Sequence, residues 1–319
     1  MEKRELGKSG IYVSPMAFGS NVFGWTADEA TSFKLLDHFV DAGFNLVDTA
    51  DVYCRWVTGN GGESEAIIGK WLNTRNNREK VVIATKVGHT MGMGPKAEKG
   101  LAKEYIFRAV EASLKRLQTD YIDLYQSHQD DESTPIEETL EAYDTLIKQG
   151  KIRAIGASNF SAPRLAESLK ISQKHNFPAY QTLQPLYNLY DRATYEKDLA
   201  QLCVDKSIGV INYYSLAAGF LTGKYRTEDD FSKSARGGRV KSSYFNERGL
   251  TILKAMDEVA KQYNATLAQI SLAWLLTRPA IAAPIASATS TIQLSELLKG
   301  IEIKLDTPSI EKLNKASAQ

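Results

Sequence analysis

Four side chains in this chain can together move a proton onto an oxygen: Asp48, Tyr53, Lys86 and His128. A phenol with a pKa of about 10 is a weak acid at neutral pH. An ammonium beside it favours the phenolate and lowers that value. A carboxylate paired with the lysine keeps it charged and oriented. A histidine next to the phenol can hydrogen-bond a substrate oxygen. Such a set protonates an oxygen that gains negative charge, as a carbonyl oxygen does during reduction. It supplies no electrons, so it implies a hydride-donating cofactor.

Taken singly, each residue has a plainer reading. A tyrosine near a strand end is usually a core residue with a satisfied hydroxyl, and an aspartate there can merely cap a helix. A lysine is usually a solvated surface charge, but Lys86 follows Val81–Val82–Ile83–Ala84, where a buried amine needs a partner. What joins the four is position. Asp48 closes the apolar run Phe44–Val47, Lys86 closes the next, and His128 stands just past Tyr121–Tyr125. Other strand-like runs end the same way. Asn21 follows Met16–Phe18, Ser158 and Asn159 follow Ile152–Gly156, and Gln184 follows Tyr180–Leu183. Tyr214 and Ser215 follow Gly209–Tyr213, and Ser287 follows Ala280–Ile285.

The elements that must position these residues alternate. Helical spacing is read over Glu63–Arg75, Lys103–Leu117, Pro135–Gln149, Ala162–His175, Tyr195–Lys206, Leu250–Tyr263, Leu267–Leu276 and Ile292–Lys299. With an opening helix after Thr26–Asp28, and with Leu250–Tyr263 and Leu267–Leu276 both falling before the last strand, this makes eight strand-then-helix units. The expected fold is therefore a (β/α)8 TIM barrel, read as one domain over residues 1–319. A hairpin around Lys8–Ser9–Gly10 precedes it and an extra C-terminal helix, Ser309–Ala316, follows it. A dinucleotide-binding open sheet is the competitor. It calls for Gly-x-Gly-x-x-Gly after its first strand, and Gly19–Ser20–Asn21–Val22–Phe23–Gly24 does not match. In the barrel, a site lies where the strands end.

Composition narrows the function. A net charge of +1 and no basic block argue against nucleic acid. No run approaches about 18 apolar residues, so no membrane partner and a cytoplasmic location are expected. Cys54 and Cys203 are far apart and are read as reduced thiols. No ligand spacing for a metal and no Gly-x-Ser-x-Gly elbow occur. Nothing in the sequence sets the oligomeric state.

Over essentially its whole length the chain resembles the aldo-keto reductases. The motifs are Asp48–Thr49–Ala50–Asp51–Val52–Tyr53, Lys86 at its strand end, Asp120 through His128, Ile155–Gly156–Ala157–Ser158–Asn159–Phe160, and Tyr214–Ser215–Leu216 with Gly219 through Tyr225. Long-loop members similar to potassium-channel β subunits and to bacterial aldo/keto reductases share them. The resemblance implies NADP(H) as cofactor, with NAD(H) an alternative, and a small carbonyl or alcohol substrate. It implies Tyr53 as general acid, Lys86 and Asp48 tuning it, and His128 orienting the carbonyl. Ser158, Asn159 and Gln184 match the positions that hold the carboxamide, and Tyr214 matches the aromatic stacked on the nicotinamide. Ser215 through Gly219, including Leu216, and Lys224 match the pyrophosphate clasp. Asn21, Ser287, Thr289, Gln293 and Glu296 fall at further cofactor positions.

The chain also departs from that pattern. Leu216 stands where many members have proline, and Leu297 replaces an asparagine. No arginine occupies the Gln293 position, so Arg236 or Arg239 is expected to reach the 2′-phosphate. Trp25, Trp56 and His89 are read as a substrate pocket. Two other functions share these motifs: a cofactor-sensing regulatory or scaffold subunit with little turnover, and a non-redox lyase.

Overall fold

A computed structural model describes residues 1–94 and 98–318. An antiparallel hairpin, β1 (Arg4–Glu5) and β2 (Tyr12–Val13), comes first. Eight parallel strands follow: β3 (Ala17–Gly19), β4 (Leu46–Asp48), β5 (Val82–Val87), β6 (Ile122–Ser127), β7 (Ile152–Ser158), β8 (Thr182–Gln184), β9 (Gly209–Val210) and β10 (Ile285–Ala286). They lie side by side in chain order, and β10 returns to pair with β3. Closure on the other side runs through bonds rather than a full strand. Val210 N–H donates to Ala280 O at 2.8 Å, Ala282 N–H to Val210 O at 2.8 Å, and Ile285 N–H to Asn212 O at 3.0 Å. The expected (β/α)8 barrel with its N-terminal hairpin is the fold observed.

Helices return the chain between strands. They are α1 (Glu29–Asp41), α2 (Arg55–Thr58), α3 (Glu63–Arg75), α4 (Lys103–Leu117), α5 (Ile136–Lys148), α6 (Ala162–His175), α7 (Ala200–Lys206), α8 (Gly237–Ser243), α9 (Glu247–Tyr263), α10 (Leu267–Leu276), α11 (Thr291–Gly300) and α12 (Thr307–Ala316). Their starts carry side-chain caps: Asp28 for α1, Ser161 for α6, Asn246 for α9, Thr266 for α10 and Ser290 for α11. Where elements differ from expectation, proline explains one case: the last strand, expected over Ala280–Ile285, shrinks to Ile285–Ala286 because Pro284 interrupts it, while β8 starts at Thr182 rather than Tyr180 and runs on through Gln184. The long stretch after Ser215 holds α8 and short 3₁₀ turns, and α2 follows Tyr53; neither helix was expected.

Strand periodicity then sorts the side chains. Leu46, Val82, Ala84, Leu124 and Ala154 share the barrel interior with Leu6, Ile11 and Val13, so the hairpin closes the floor with apolar groups. Alternate residues Val47, Ile83, Tyr125 and Ile155 pack outward under the helices. Two residues further along each strand the interior turns polar. In register, Lys86 sits beside Gln126, Gln126 beside Gly156, and Gly156 beside Thr182. Ser158 and Gln184 form the next pair toward the mouth. The period of two that builds the floor therefore also places the chemistry.

Candidate active site

Asp48 ends β4 and Lys86 lies near the end of β5, on adjacent strands, both buried. Lys86 Nζ donates three hydrogen bonds: to Asp48 Oδ2 at 2.8 Å, Thr49 O at 2.7 Å and Tyr53 Oη at 3.0 Å. All three ammonium hydrogens are thus used. Tyr53 in turn donates to Asp48 Oδ2 at 3.2 Å. His128 follows β6, its ring centroid 6.3 Å from that of Tyr53. The four residues expected to act together are brought to one corner of the mouth.

Burial sets their protonation. It pushes the Tyr53 phenol well above its ordinary value, and the Asp48 carboxylate adds to the rise. The lowering expected from the Lys86 ammonium therefore does not set the net direction. Desolvation dominates, and the ammonium charge is already offset by its bond to Asp48. Desolvation also lowers Lys86, with Asp48 opposing it. His128 is driven well below its usual range by burial, then by Lys86 and His89, so its imidazole is neutral. The corner thus holds a phenol and a neutral imidazole, both able to donate a hydrogen bond.

Next to it lies a set of amides. Gln184 Nε2 donates to Asp48 Oδ1 at 2.8 Å, and Ser158 Oγ donates to Gln184 O at 2.9 Å. Asn159, in the left-handed region at φ 56°, donates through Nδ2 to His128 O at 2.9 Å. Its Oδ1 accepts from the Tyr213 hydroxyl at 2.9 Å. Tyr213 was not among the expected site residues, yet its ring lies 5.3 Å from that of Tyr214, and both tyrosines add to the rise of the Tyr53 phenol. A run of two tyrosines at a strand end was the available signal. The buried Gln126 was missed because its alternation into the barrel depends on the register of β6.

Positive charge gathers across the mouth. The Arg239 guanidinium lies 4.8 Å from the Tyr214 ring centroid, and that of Arg236 lies 5.4 Å from Trp25. Arg236 Nη2 is buried with no hydrogen-bond partner among the described residues. Lys224 extends along Gly219, whose φ of 98° suits glycine; a Cβ there would meet Lys224 Nζ at 3.4 Å. Ala217 and Ala218 share positive φ values with Gly219, so the chain turns tightly after Leu216, with both alanines buried. Among the described residues Lys224, Arg236 and Arg239 form no ion pair with a carboxylate, which suits an anionic ligand such as a diphosphate. Among the described residues neither arginine hydrogen-bonds the turn after β10. There Thr289 N–H and Oγ1 donate to Gln293 Oε1 at 2.9 and 3.1 Å, and Glu296 O accepts from Gln269. Ser287 Oγ donates to Asn21 Oδ1 at 2.8 Å, joining β10 to β3. Ser215 faces inward, its Oγ accepting from Asn212 Nδ2.

Aromatic rings continue outward from Tyr53. Trp56 lies 6.4 Å from it and Trp25 5.7 Å from Trp56, while His89 lies 5.3 Å from His128. The three residues expected to line a substrate pocket border the same opening, Trp56 being 53% exposed.

Comparison with known proteins agrees with this geometry. The model of the aldo/keto reductase family matches residues 15–318. The chain is 36% identical to the uncharacterized oxidoreductase YrpG of Bacillus subtilis (strain 168), covering 98% of this chain and 95% of that one. It is 34% identical to the aldo-keto reductase YhdN of the same organism, over 88% of this chain and 82% of the relative. A probable voltage-gated potassium channel subunit beta of Arabidopsis thaliana is 32% identical over 97% and 94%. The chain belongs to the aldo/keto reductase family.

Proposed function

We propose that this chain is an NADPH-dependent reductase of aldehydes and ketones, reversible toward alcohol oxidation. Membership of the family supports the coarser statement, an oxidoreductase that uses NAD(P)H on small carbonyl compounds. One observation carries the finer reading: a buried phenol, protonated at neutral pH, 3.0 Å from an ammonium and beside a neutral histidine. Bound nicotinamide supplies hydride to the carbonyl carbon. Tyr53 gives its proton to the carbonyl oxygen, turning its hydroxyl away from the long 3.2 Å bond to Asp48. The Lys86 ammonium then faces the new phenolate, and Asp48 holds the lysine in place. His128 donates a hydrogen bond to the same oxygen and sets its direction. Gln184, Ser158 and Asn159 hold the carboxamide, with Tyr213 and Tyr214 bordering the ring. Lys224 neutralises the diphosphate, and Arg236 and Arg239 supply further positive charge to the cofactor phosphates. Trp25, Trp56 and His89 receive an aromatic or sugar-like substrate body.

The test is Tyr53→Phe on 4-nitrobenzaldehyde with NADPH. Turnover is expected to fall by about 10²–10⁴-fold while NADP⁺ affinity stays within about twofold. A variant that keeps most of its turnover with the fold intact would overturn the assignment. The relative named as a channel subunit favours a second reading, a cofactor-sensing subunit. Single-turnover oxidation of bound NADPH with no steady state would select it.

A further inference from the structure

Gln126 lies outside every role assigned so far. It is fully buried, in the register row of Lys86, one strand away. Its Oε1 accepts from Gln184 Nε2 at 3.3 Å. The other hydrogen of the same Gln184 nitrogen goes to Asp48 Oδ1 at 2.8 Å. Both amide hydrogens of Gln184 are therefore used inside the barrel. Its Oε1 accepts no protein hydrogen bond among the described residues and is not counted among the sealed polar atoms. Reversing the Gln184 amide would turn oxygen toward the Asp48 carboxylate and toward Gln126 Oε1. Both contacts would then be repulsive, so the arrangement has one orientation. Gly156 makes the room: a Cβ there would meet Gln126 Cγ at 3.0 Å and Thr182 Oγ1 at 2.2 Å. Gln126 Nε2 itself is buried with no partner among the described residues. An unsatisfied buried donor costs stability, so this glutamine is not explained by folding alone.

We propose that Gln126 is a positioning residue for cofactor recognition. It and Asp48 clamp the two hydrogens of Gln184 so that Gln184 Oε1 is the outward-facing acceptor for the nicotinamide carboxamide N–H. The inference rests on the nicotinamide reading above and extends it to a residue one layer below the ligand. It also links recognition to chemistry, because the same Asp48 carboxylate that anchors Gln184 holds Lys86 and Tyr53.

The experiment measures binding by isothermal titration, not turnover. Gln126→Met, Gln184→Met and the double variant are each titrated with NADP⁺ and with adenosine 2′,5′-bisphosphate, which has no carboxamide. Gln126→Met is expected to weaken NADP⁺ by roughly threefold to tenfold and to leave the bisphosphate unchanged. The double variant is expected to match Gln184→Met alone, since Gln126 acts through Gln184. The Tm of Gln126→Met is expected to equal or exceed that of the unmodified chain. Wild-type-like NADP⁺ affinity in Gln126→Met, equal losses for both ligands, or additive losses in the double variant would each overturn the inference. An unmodified chain that binds neither ligand would instead overturn the cofactor reading, and this inference with it.

Discussion

Asp48 and Asp51 stand three residues apart in one segment, and both are 1% exposed. Asp48 accepts from Lys86, Tyr53 and Gln184, so both of its oxygens are satisfied. Asp51 has no hydrogen-bond partner on either oxygen among the described residues. Its neighbours explain the contrast. Glu65 is buried nearby, but its carboxylate is taken by Thr85 Oγ1 at 2.6 Å and Arg116 Nε at 2.7 Å. Desolvation and the like charge of Glu65 raise the Asp51 pKa well above the ordinary 3.8, with Arg116, the nearby Val52 backbone N–H and Lys86 opposing them. Two identical side chains, equally deep, thus differ in their donors: one is paired with an ammonium, and the other is left to desolvation, which raises its pKa.

The sharpest way to break the comparison is to orphan the satisfied member. Lys86→Met leaves Asp48 a buried carboxylate without its cation. A loss of about 3–5 kcal/mol in urea unfolding is expected, together with collapse of turnover. Adding Asp48→Asn to that variant is expected to recover most of the stability and none of the activity. If the double variant is no more stable than Lys86→Met, Asp48 is not held ionised by the lysine.

Arg116→Met is the milder counterpart on the Asp51 side. It removes the cation from Glu65, whose side chain is fully buried, but Arg116 itself is 25% exposed. Water can enter where it stood, so a smaller loss, roughly 2–3 kcal/mol, is expected. Turnover should hold within about threefold, since no Arg116 atom touches the catalytic corner. A loss equal to that of Lys86→Met would erase the distinction between the two sites.

How much of this contrast was readable beforehand depends on how local its causes are. Asp48, Lys86 and Tyr53 follow apolar runs, and alternation along those runs already points them into the barrel mouth. The eight-unit repeat was legible for the same reason, since helix and strand periods are local. Asp51 carries the same letter within the same motif. Its lack of donors arises from α3 and α4, which bring Glu65 and Arg116 across the back of β5. The direction of the Tyr53 shift was missed similarly, because burial is a sum over the whole barrel while the ammonium is one residue. The surroundings of Arg236 and Arg239 were not legible in the sequence. Their loop contains α8, which no apolar period announced, and that helix carries them back to Trp25 and Tyr214.

Asp51→Asn changes least near pH 4 and is the most diagnostic variant, because its signature is a slope. In the unfolded chain Asp51 releases its proton near 3.8; in the folded chain it holds the proton to higher pH. Below that ordinary value both states are protonated, and the stability linked to this proton is fully present. As pH rises past it, the unfolded chain gains by ionising and the folded chain does not. Stability then falls, by up to about 1.4 kcal/mol per pH unit, until pH passes the raised folded value. Asparagine cannot titrate and occupies the same volume as the neutral acid. The variant should therefore match the unmodified chain near pH 4 and become progressively more stable than it toward neutrality. Urea unfolding of both proteins in steps from pH 4 to 7.5 reads the difference directly. A constant offset across that range would mean that the Asp51 proton is not held by the fold, and the contrast with Asp48 would fail. A difference that grows with pH would show that one segment carries both a charged carboxylate for the lysine and a neutral acid behind it.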